Sequence, residues 1–208
     1  MAAILGLDPA LIQTICEQVA DALTPLPGDP GAKEFSPASA IVSPANLNSP
    51  AQTVISGAAA AVTRAAALCL EAGAKRTVML PVSAPFHCAL MMPAQLRLAA
   101  DLAALAFADP AFPVAANVSA TLITNGPEAR SALIDQVTGA VRWVECLQLL
   151  LTPPSPIPPP THLIELGPGR VLTGLTRQIL GKGVESPISL NVEDTASLEK
   201  TVAALGDS

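Results

Sequence analysis

Residues 40–57, AIVSPANLNSPAQTVISG, place two short apolar stretches, 40–42 and 53–56, around the run SPANLNSP. Serine, proline and asparagine at that density mark a turn, and the stretches on either side read as strands. Upstream, residues 2–5 (AAIL) suit another strand. Asp8 then offers an N-cap and Pro9 a first helical position, with Leu11, Ile12, Ile15, Val19 and Leu23 near helical spacing to about residue 23. Residues 24–39 are rich in proline and glycine and read as a loop. Downstream, Gly57 precedes an alanine-rich helix over 58–72, which Gly73 closes with a left-handed cap, and residues 76–82 form another extended run. The first 83 residues therefore predict β-α-β-β-α-β, the ferredoxin-like split arrangement.

Residues 84–208 read as a second unit. Helices are predicted over 93–107, with Leu96, Leu98, Leu102 and Leu105 inward, and over 127–139, 142–151, 171–180 and 197–205. Strands are predicted over 112–117, 162–166 and 187–190. The run LTPPSPIPPPTH holds six prolines in twelve residues and reads as an extended polyproline-like connection. Strands alternating with helices imply an α/β unit with a parallel sheet, and its few short strands leave that sheet incomplete.

Composition removes several functions. Half of the 208 residues are apolar, which provides a core, and 11 Lys plus Arg against 17 Asp plus Glu give a net charge of −6. That field disfavours phosphate backbones, and 2% aromatic residues make no base-stacking platform, so no nucleic-acid partner is expected. No stretch has the ~20 apolar residues of a membrane span, and the N-terminus lacks the basic start of a targeting segment. Cys16, Cys69, Cys88 and Cys146 have no metal-ligand spacing, so neither a metal site nor a disulfide framework is expected.

The chain contains no G-x-S-x-G elbow, P-loop or G-x-G-x-x-G, and GPGRVL reads as a tight turn between strand and helix. His162 follows three prolines and reads as solvated. His87 sits in VSAPFHCALMMP just after an apolar strand, the more promising place for a working imidazole, although a structural histidine is the commoner occupant. Cys88 adjoins it, but consecutive side chains of an extended segment point to opposite faces, so a packed, inert thiol is favoured over a Cys-His dyad. Asn46 and Asn48 flank the turn, where Asn commonly serves its own backbone, and Lys75-Arg76 is a basic doublet at a helix end.

Six stretches in order, 1–8 (MAAILGLD), 41–57 (IVSPANLNSPAQTVISG), 72–91 (AGAKRTVMLPVSAPFHCALM), 113–120 (PVAANVSA), 133–143 (LIDQVTGAVRW) and 163–175 (LIELGPGRVLTGL), carry a resemblance. Together they resemble the malonyl-CoA:acyl-carrier-protein transacylases, including the related acyltransferase domains of polyketide synthases. The resemblance implies a ferredoxin-like subdomain, here residues 1–83, inserted in an α/β-hydrolase-like acyltransferase subdomain whose C-terminal part is residues 84–208. It covers about the C-terminal two thirds of a typical member. The family's Gly-His-Ser-Leu-Gly elbow, its Gly-Gln-Gly-Ser-Gln stretch and the arginine that pairs with the malonyl carboxylate have no counterpart here. The implied reading is a truncated copy, inactive alone.

By position, His87 matches the family's catalytic histidine and Gln136 the residue whose backbone carbonyl orients it, within a Gln-Val-x-x-x-Val-x-Trp run ending at Trp143. Ala140 stands where the family often has proline, so that turn is expected to differ. Asn46 and Asn48 match an Asn-x-Asn-Ser-Pro motif at the pocket mouth, and Phe86 is the pattern associated with malonyl rather than methylmalonyl units. Lys75 and Arg76 match a basic pair and are read as a docking point for the acidic carrier protein. The implied substrates are malonyl-CoA and the phosphopantetheine thiol of acyl carrier protein, in fatty-acid synthesis, with no cofactor and no metal. The implied compartment is the cytoplasm, or a mitochondrial or plastid matrix. The alternatives are a non-catalytic carrier-binding remnant, a polyketide synthase acyltransferase fragment, and a hydrolase built on Cys88.

Overall fold

The computed structural model describes residues 1–25, 36–154, 157–181 and 187–206. Most of the loop predicted over 24–39, and residues 155–156 of the proline-rich connection, lie outside the described residues. The chain divides into two compact units, Met1–Cys146 and Leu147–Ser208, so the boundary expected after residue 83 falls inside the first.

The first unit opens with β1 (Ala2–Leu5), α1 (Pro9–Leu23), β2 (Val42–Ser49), β3 (Gln52–Gly57), α2 (Ala59–Glu71) and β4 (Arg76–Met79). Their sheet is antiparallel throughout, in the order β2-β3-β1-β4, with Ala2 opposite both Ile55 and Met79. Local chemistry sets the helix ends. The Asp8 carboxylate accepts the Ala10 and Leu11 N–H groups at 2.8 and 3.3 Å, with Pro9 in the first turn, as expected of an N-cap. At the end of α2, Gly73 takes φ +102° and the Ala74 N–H returns to the Cys69 carbonyl at 2.9 Å, closing a Schellman turn.

The core of these elements lies entirely between residues 2 and 74. Ile12, Ile15, Cys16 and Val19 of α1 and Ala61, Val62, Ala65, Ala66 and Cys69 of α2 pack with Ala2, Ile4 and Ile55 of the sheet. Small side chains on α2 bring the two helices close together, and each large one buried contributes about 1.5–3 kcal/mol.

The reading of SPANLNSP as a turn is corrected. Residues 42–49 are strand, and the turn is only Pro50-Ala51, between the paired Ser49 and Gln52. Two register shifts, between Pro44 and Asn46 and between Leu47 and Ser49, absorb the residues that resist a regular ladder. The outer edge of the bulged strand is closed by Val141, whose N–H donates to the Ala45 carbonyl and whose carbonyl accepts the Leu47 N–H, both at 2.8 Å. β4 ends at Met79 instead of continuing to residue 82. Leu80 still donates to the Met1 carbonyl at 3.0 Å, but Pro81 has no N–H to extend the pairing.

The remainder of the first unit is α3 (Met92–Ala103), β5 (Val114–Ala116), β6 (Thr121–Ile123), α4 (Gly126–Asp135) and the start of α5 (Trp143–Leu151). Leu98 and Leu102 are half-buried as expected of an inward stripe, but Leu96 and Leu105 are exposed, the latter beyond the end of the helix. The strand expected over 112–117 is shortened to β5 and joins no parallel sheet. β5 and β6 pair antiparallel, because residues 117–120 are too few for the crossover that parallel strands require. α4 stops at Asp135 rather than 139, which leaves residues 136–141 as a loop.

The second unit holds the end of α5, β7 (His162–Leu166), α6 (Val171–Leu180), β8 (Ile188–Val192) and α7 (Thr195–Gly206). β7 and β8 pair in parallel, His162 opposite Ile188 and Leu166 opposite Val192. GPGRVL is the predicted turn from β7 into α6, with Gly167 and Gly169 at φ +131° and +83°. Glu165 on β7 caps that helix, accepting the Leu172 and Thr173 N–H groups at 2.9 and 2.8 Å and the Thr173 hydroxyl at 2.7 Å. Burial alone would raise the Glu165 pKa, but these hydrogen bonds hold it below the usual carboxylate value. Among the described residues no helix is long and apolar enough to cross a membrane.

Candidate active site

β4 and α3 are joined by a loop that carries Phe86, His87 and Cys88. His87 takes φ +59°, a left-handed conformation that residues other than glycine adopt uncommonly, histidine more readily than most. Cys88 turns its thiol into the protein, donating to the Pro85 carbonyl at 3.2 Å, and is 1% exposed. His87 is half-buried, and its Nδ1 lies 3.0 Å from the carbonyl oxygen of Gln136.

That carbonyl belongs to the C-cap of α4. The last carbonyls of a helix have no partner within it and carry the negative end of its dipole, so they are ready acceptors for an imidazole N–H. A carbonyl can only accept. The contact therefore places a proton on Nδ1 and leaves Nε2 of the neutral ring with a free lone pair.

The loop behind the carbonyl is held at several points. The Gln136 side chain folds back, its Nε2 donating to the carbonyls of Gly139 at 2.8 Å and Ala140 at 3.4 Å. Gly139 leaves no room for a side chain, since a Cβ there would stand 2.5 Å from a Val118 methyl. Thr138 donates its hydroxyl to Gln95 Oε1 on α3 at 2.6 Å. Val141 ends the loop in its bridge to β2. Beyond it, Arg142 donates to both carboxylate oxygens of Glu145 and to the Ser119 carbonyl. Hydrogen bonding to Arg142 holds the Glu145 carboxyl below its usual range.

The structure thus brings His87 and Gln136 together and connects Asn46 to the same loop through Val141. Asn46 and Asn48 lie half-buried on β2 rather than in a turn. Phe86 is 44% exposed beside His87. Lys75 and Arg76 are exposed at the start of β4, opposite Leu5, whereas the His87 loop leaves from the other end of that strand. A groove of about 500 Å³ opens at the start of α3, lined by Leu90, Met91, Pro93, Ala94, Arg97 and Leu98, and none of the expected site residues borders it. His162 is corrected from a solvated loop residue to the half-buried first residue of β7. Its Nδ1 meets the Thr161 hydroxyl at 3.0 Å, and its Nε2 is enclosed. The left-handed backbone at His87 and the contact between Thr138 and Gln95 left no signal in the sequence.

No family model matches the chain. The malonyl CoA-acyl carrier protein transacylase of Escherichia coli strain K12 is 41% identical over 199 residues, 96% of this chain and 57% of that protein. The acyl carrier protein S-malonyltransferase of Vibrio cholerae superimposes with a TM-score of 0.78 at 42% identity, covering 96% of this chain and 57% of the other. By sequence and by fold, the chain matches the malonyl-CoA:acyl-carrier-protein transacylase family over part of its members' length. It spans a little over half the length of the family members it matches. A further transacylase of the family, solved in complex with its type II PKS acyl-carrier protein, matches with a TM-score of 0.79 at 39% identity over 100% of this chain and 58% of its own.

Proposed function

We propose that this chain supplies the histidine half of a malonyl-transfer site, moving malonyl from malonyl-CoA to the phosphopantetheine thiol of acyl carrier protein in fatty-acid synthesis. The observation that carries the reading is the 3.0 Å contact between His87 Nδ1 and the Gln136 carbonyl, which fixes the ring with Nε2 free to act as a base. In this reading Nε2 takes the proton of a serine hydroxyl, and the serine oxygen attacks the thioester carbonyl of malonyl-CoA. Coenzyme A thiolate leaves and recovers the proton from the imidazolium. The carrier's thiol then gives its proton to Nε2, its sulfur attacks the seryl ester, and the serine is restored.

A neutral carbonyl serves where hydrolases use a carboxylate: it orients the ring and stabilises the imidazolium that forms. The serine is outside these 208 residues, which contain no G-x-S-x-G. Residues 1–83 act as the ferredoxin-like subdomain and residues 84–208 as part of the hydrolase-like one. Asn46, Asn48 and Phe86 line the mouth for the acyl group, and Lys75 with Arg76 meets the carrier. The compartment is that of the carrier, cytoplasm or organelle matrix.

The test is transfer of labelled malonyl from malonyl-CoA to holo carrier protein. It is measured for the chain alone and for the chain joined to the part of the E. coli relative outside the match. The joined protein is expected to be active and to lose at least ~10³-fold with His87→Ala. A joined protein equally active with His87→Ala overturns the assignment.

A further inference from the structure

His87 and Gln136 are 49 residues apart in sequence, and their hydrogen bond joins two segments distant along the chain. One follows β4 and runs through His87 into α3; the other is the loop leaving α4. A second side-chain hydrogen bond joins the same two segments, from the Thr138 hydroxyl to Gln95 Oε1 at 2.6 Å. Gln95 lies on the first turns of α3, whose entry carries His87, and Thr138 is two residues beyond the carbonyl that His87 meets. Both side chains are half-buried, where such a bond competes less with water than at the surface.

The geometry of the loop makes Thr138 an effective handle. Gln136 Nε2 grips the Gly139 and Ala140 carbonyls, so residues 136–140 move as one closed turn. The Gly139 N–H holds the Asp135 carbonyl at 2.8 Å, tying that turn to the last residue of α4. The far end is fixed to β2 through Val141. A pull on Thr138 is therefore transmitted to the plane of the Gln136 peptide rather than absorbed by a soft loop. On the other side, His87 is held in a left-handed conformation, which persists only where its surroundings over-determine it.

We infer that Thr138 and Gln95 are positioning residues: their hydrogen bond sets α3 against the loop after α4 at the separation at which the His87 imidazole donates through Nδ1 to the Gln136 carbonyl. The inference deepens the proposed acyl-transfer reading, but the property it concerns, the ring tautomer, exists in the chain without substrate. The clasp acts through His87 and touches no reacting atom.

The experiment is long-range ¹H–¹⁵N NMR of the imidazole nitrogens in the full 208-residue chain, which distinguishes Nδ1–H from Nε2–H rings, with His162 as the internal reference. Thr138→Val removes the donor and Gln95→Met the acceptor, so each is expected to lower the ratio of Nδ1–H to Nε2–H at His87 by about fivefold, the worth of one ordinary hydrogen bond. The His162 signals should stay in place. Thr138→Ser and Gln95→Glu, which keep the donor and the acceptor oxygen, should restore the wild-type ratio. The double variant Thr138→Val with Gln95→Met should be no worse than either single one. If one apolar variant fails to fold, the other reports the same bond from its opposite side. An unchanged His87 tautomer in a folded Thr138→Val or Gln95→Met chain overturns the inference, and so does a shift that Thr138→Ser fails to rescue. If the clasp governs the tautomer while the joined enzyme proves inactive, the transfer reading fails and the positioning role stands.

Discussion

His87 and Cys88 are consecutive residues whose side chains serve opposite ends. The Cys88 thiol is buried and donates to the Pro85 carbonyl, whereas the His87 ring reaches the Gln136 carbonyl across the fold. A thiol committed to its own loop at 1% exposure is neither placed beside the imidazole as a nucleophile nor open to a bulky thioester. Cys88 anchors the loop, and the His87 ring is turned to the Gln136 carbonyl instead of to the thiol beside it.

Incubating the chain with malonyl-CoA is therefore expected to leave every cysteine unmodified, since Cys16, Cys69, Cys88 and Cys146 are all buried. Intact-mass spectrometry checks this. A stable malonyl adduct on Cys88 would make the thiol the nucleophile and reverse its assignment.

Burial pushes the Cys16 thiol up to about 12 and the Cys69 thiol to about 11, from an ordinary 9.0. Thiols that hold their protons more tightly when folded stabilise the fold fully below pH 9, and that contribution is lost as pH rises toward 11–12. The melting temperature should fall between pH 8 and pH 10.5, and the fall should be smaller in Cys16→Ala. Equal slopes in the two proteins would remove Cys16 as the cause.

Gly57 ends β3 where a Cβ would lie 2.0 Å from the Ile41 carbonyl oxygen and 2.7 Å from the Val42 Cα. Backbone atoms cannot step aside as a flexible side chain does. Gly57→Ala is expected to cost about 3 kcal/mol or more, read as a lowered denaturant midpoint.

The ion pair of Arg142 with Glu145 is more than a third exposed at both side chains, so Glu145→Gln should cost less than about 1 kcal/mol at pH 7. Because the Arg142 hydrogen bond lowers the Glu145 pKa, the contribution is present above the ordinary carboxylate pKa of 4.5 and disappears as pH falls below it. Denaturant titrations of the wild type and Glu145→Gln should therefore converge at acid pH. A gap that persists at pH 3 would assign the effect to packing.

Lys75 and Arg76 stand exposed at the start of β4, with the aliphatic stem of Lys75 lying over Gly6. In a serine-bearing enzyme, reversing both to Glu is expected to raise the KM for carrier protein by about fivefold to tenfold and to leave that for malonyl-CoA unchanged. The defect should shrink with added salt. Equal losses for both substrates would make the doublet structural.

Much of this protein is written in local chemistry. Asp8-Pro9 starts α1 and Gly73 ends α2 because caps and left-handed turns depend on residues only a few positions apart. His87 is legible because an imidazole after an apolar strand is a distinctive side chain in a distinctive place. Its partner cannot be read from the residues alone, because every residue has a carbonyl; the family resemblance pointed to Gln136, and the meeting of α4 with the loop before α3 brings that carbonyl to the ring. The same holds for SPANLNSP, where turn-forming residues are drawn into a strand by β3 on one edge and Val141 on the other. Sequence fixes side-chain chemistry and short-range backbone preference. Backbone acceptors, strand edges and the left-handed conformation of His87 are decided by contacts between segments distant along the chain, whose free energies no local stretch contains.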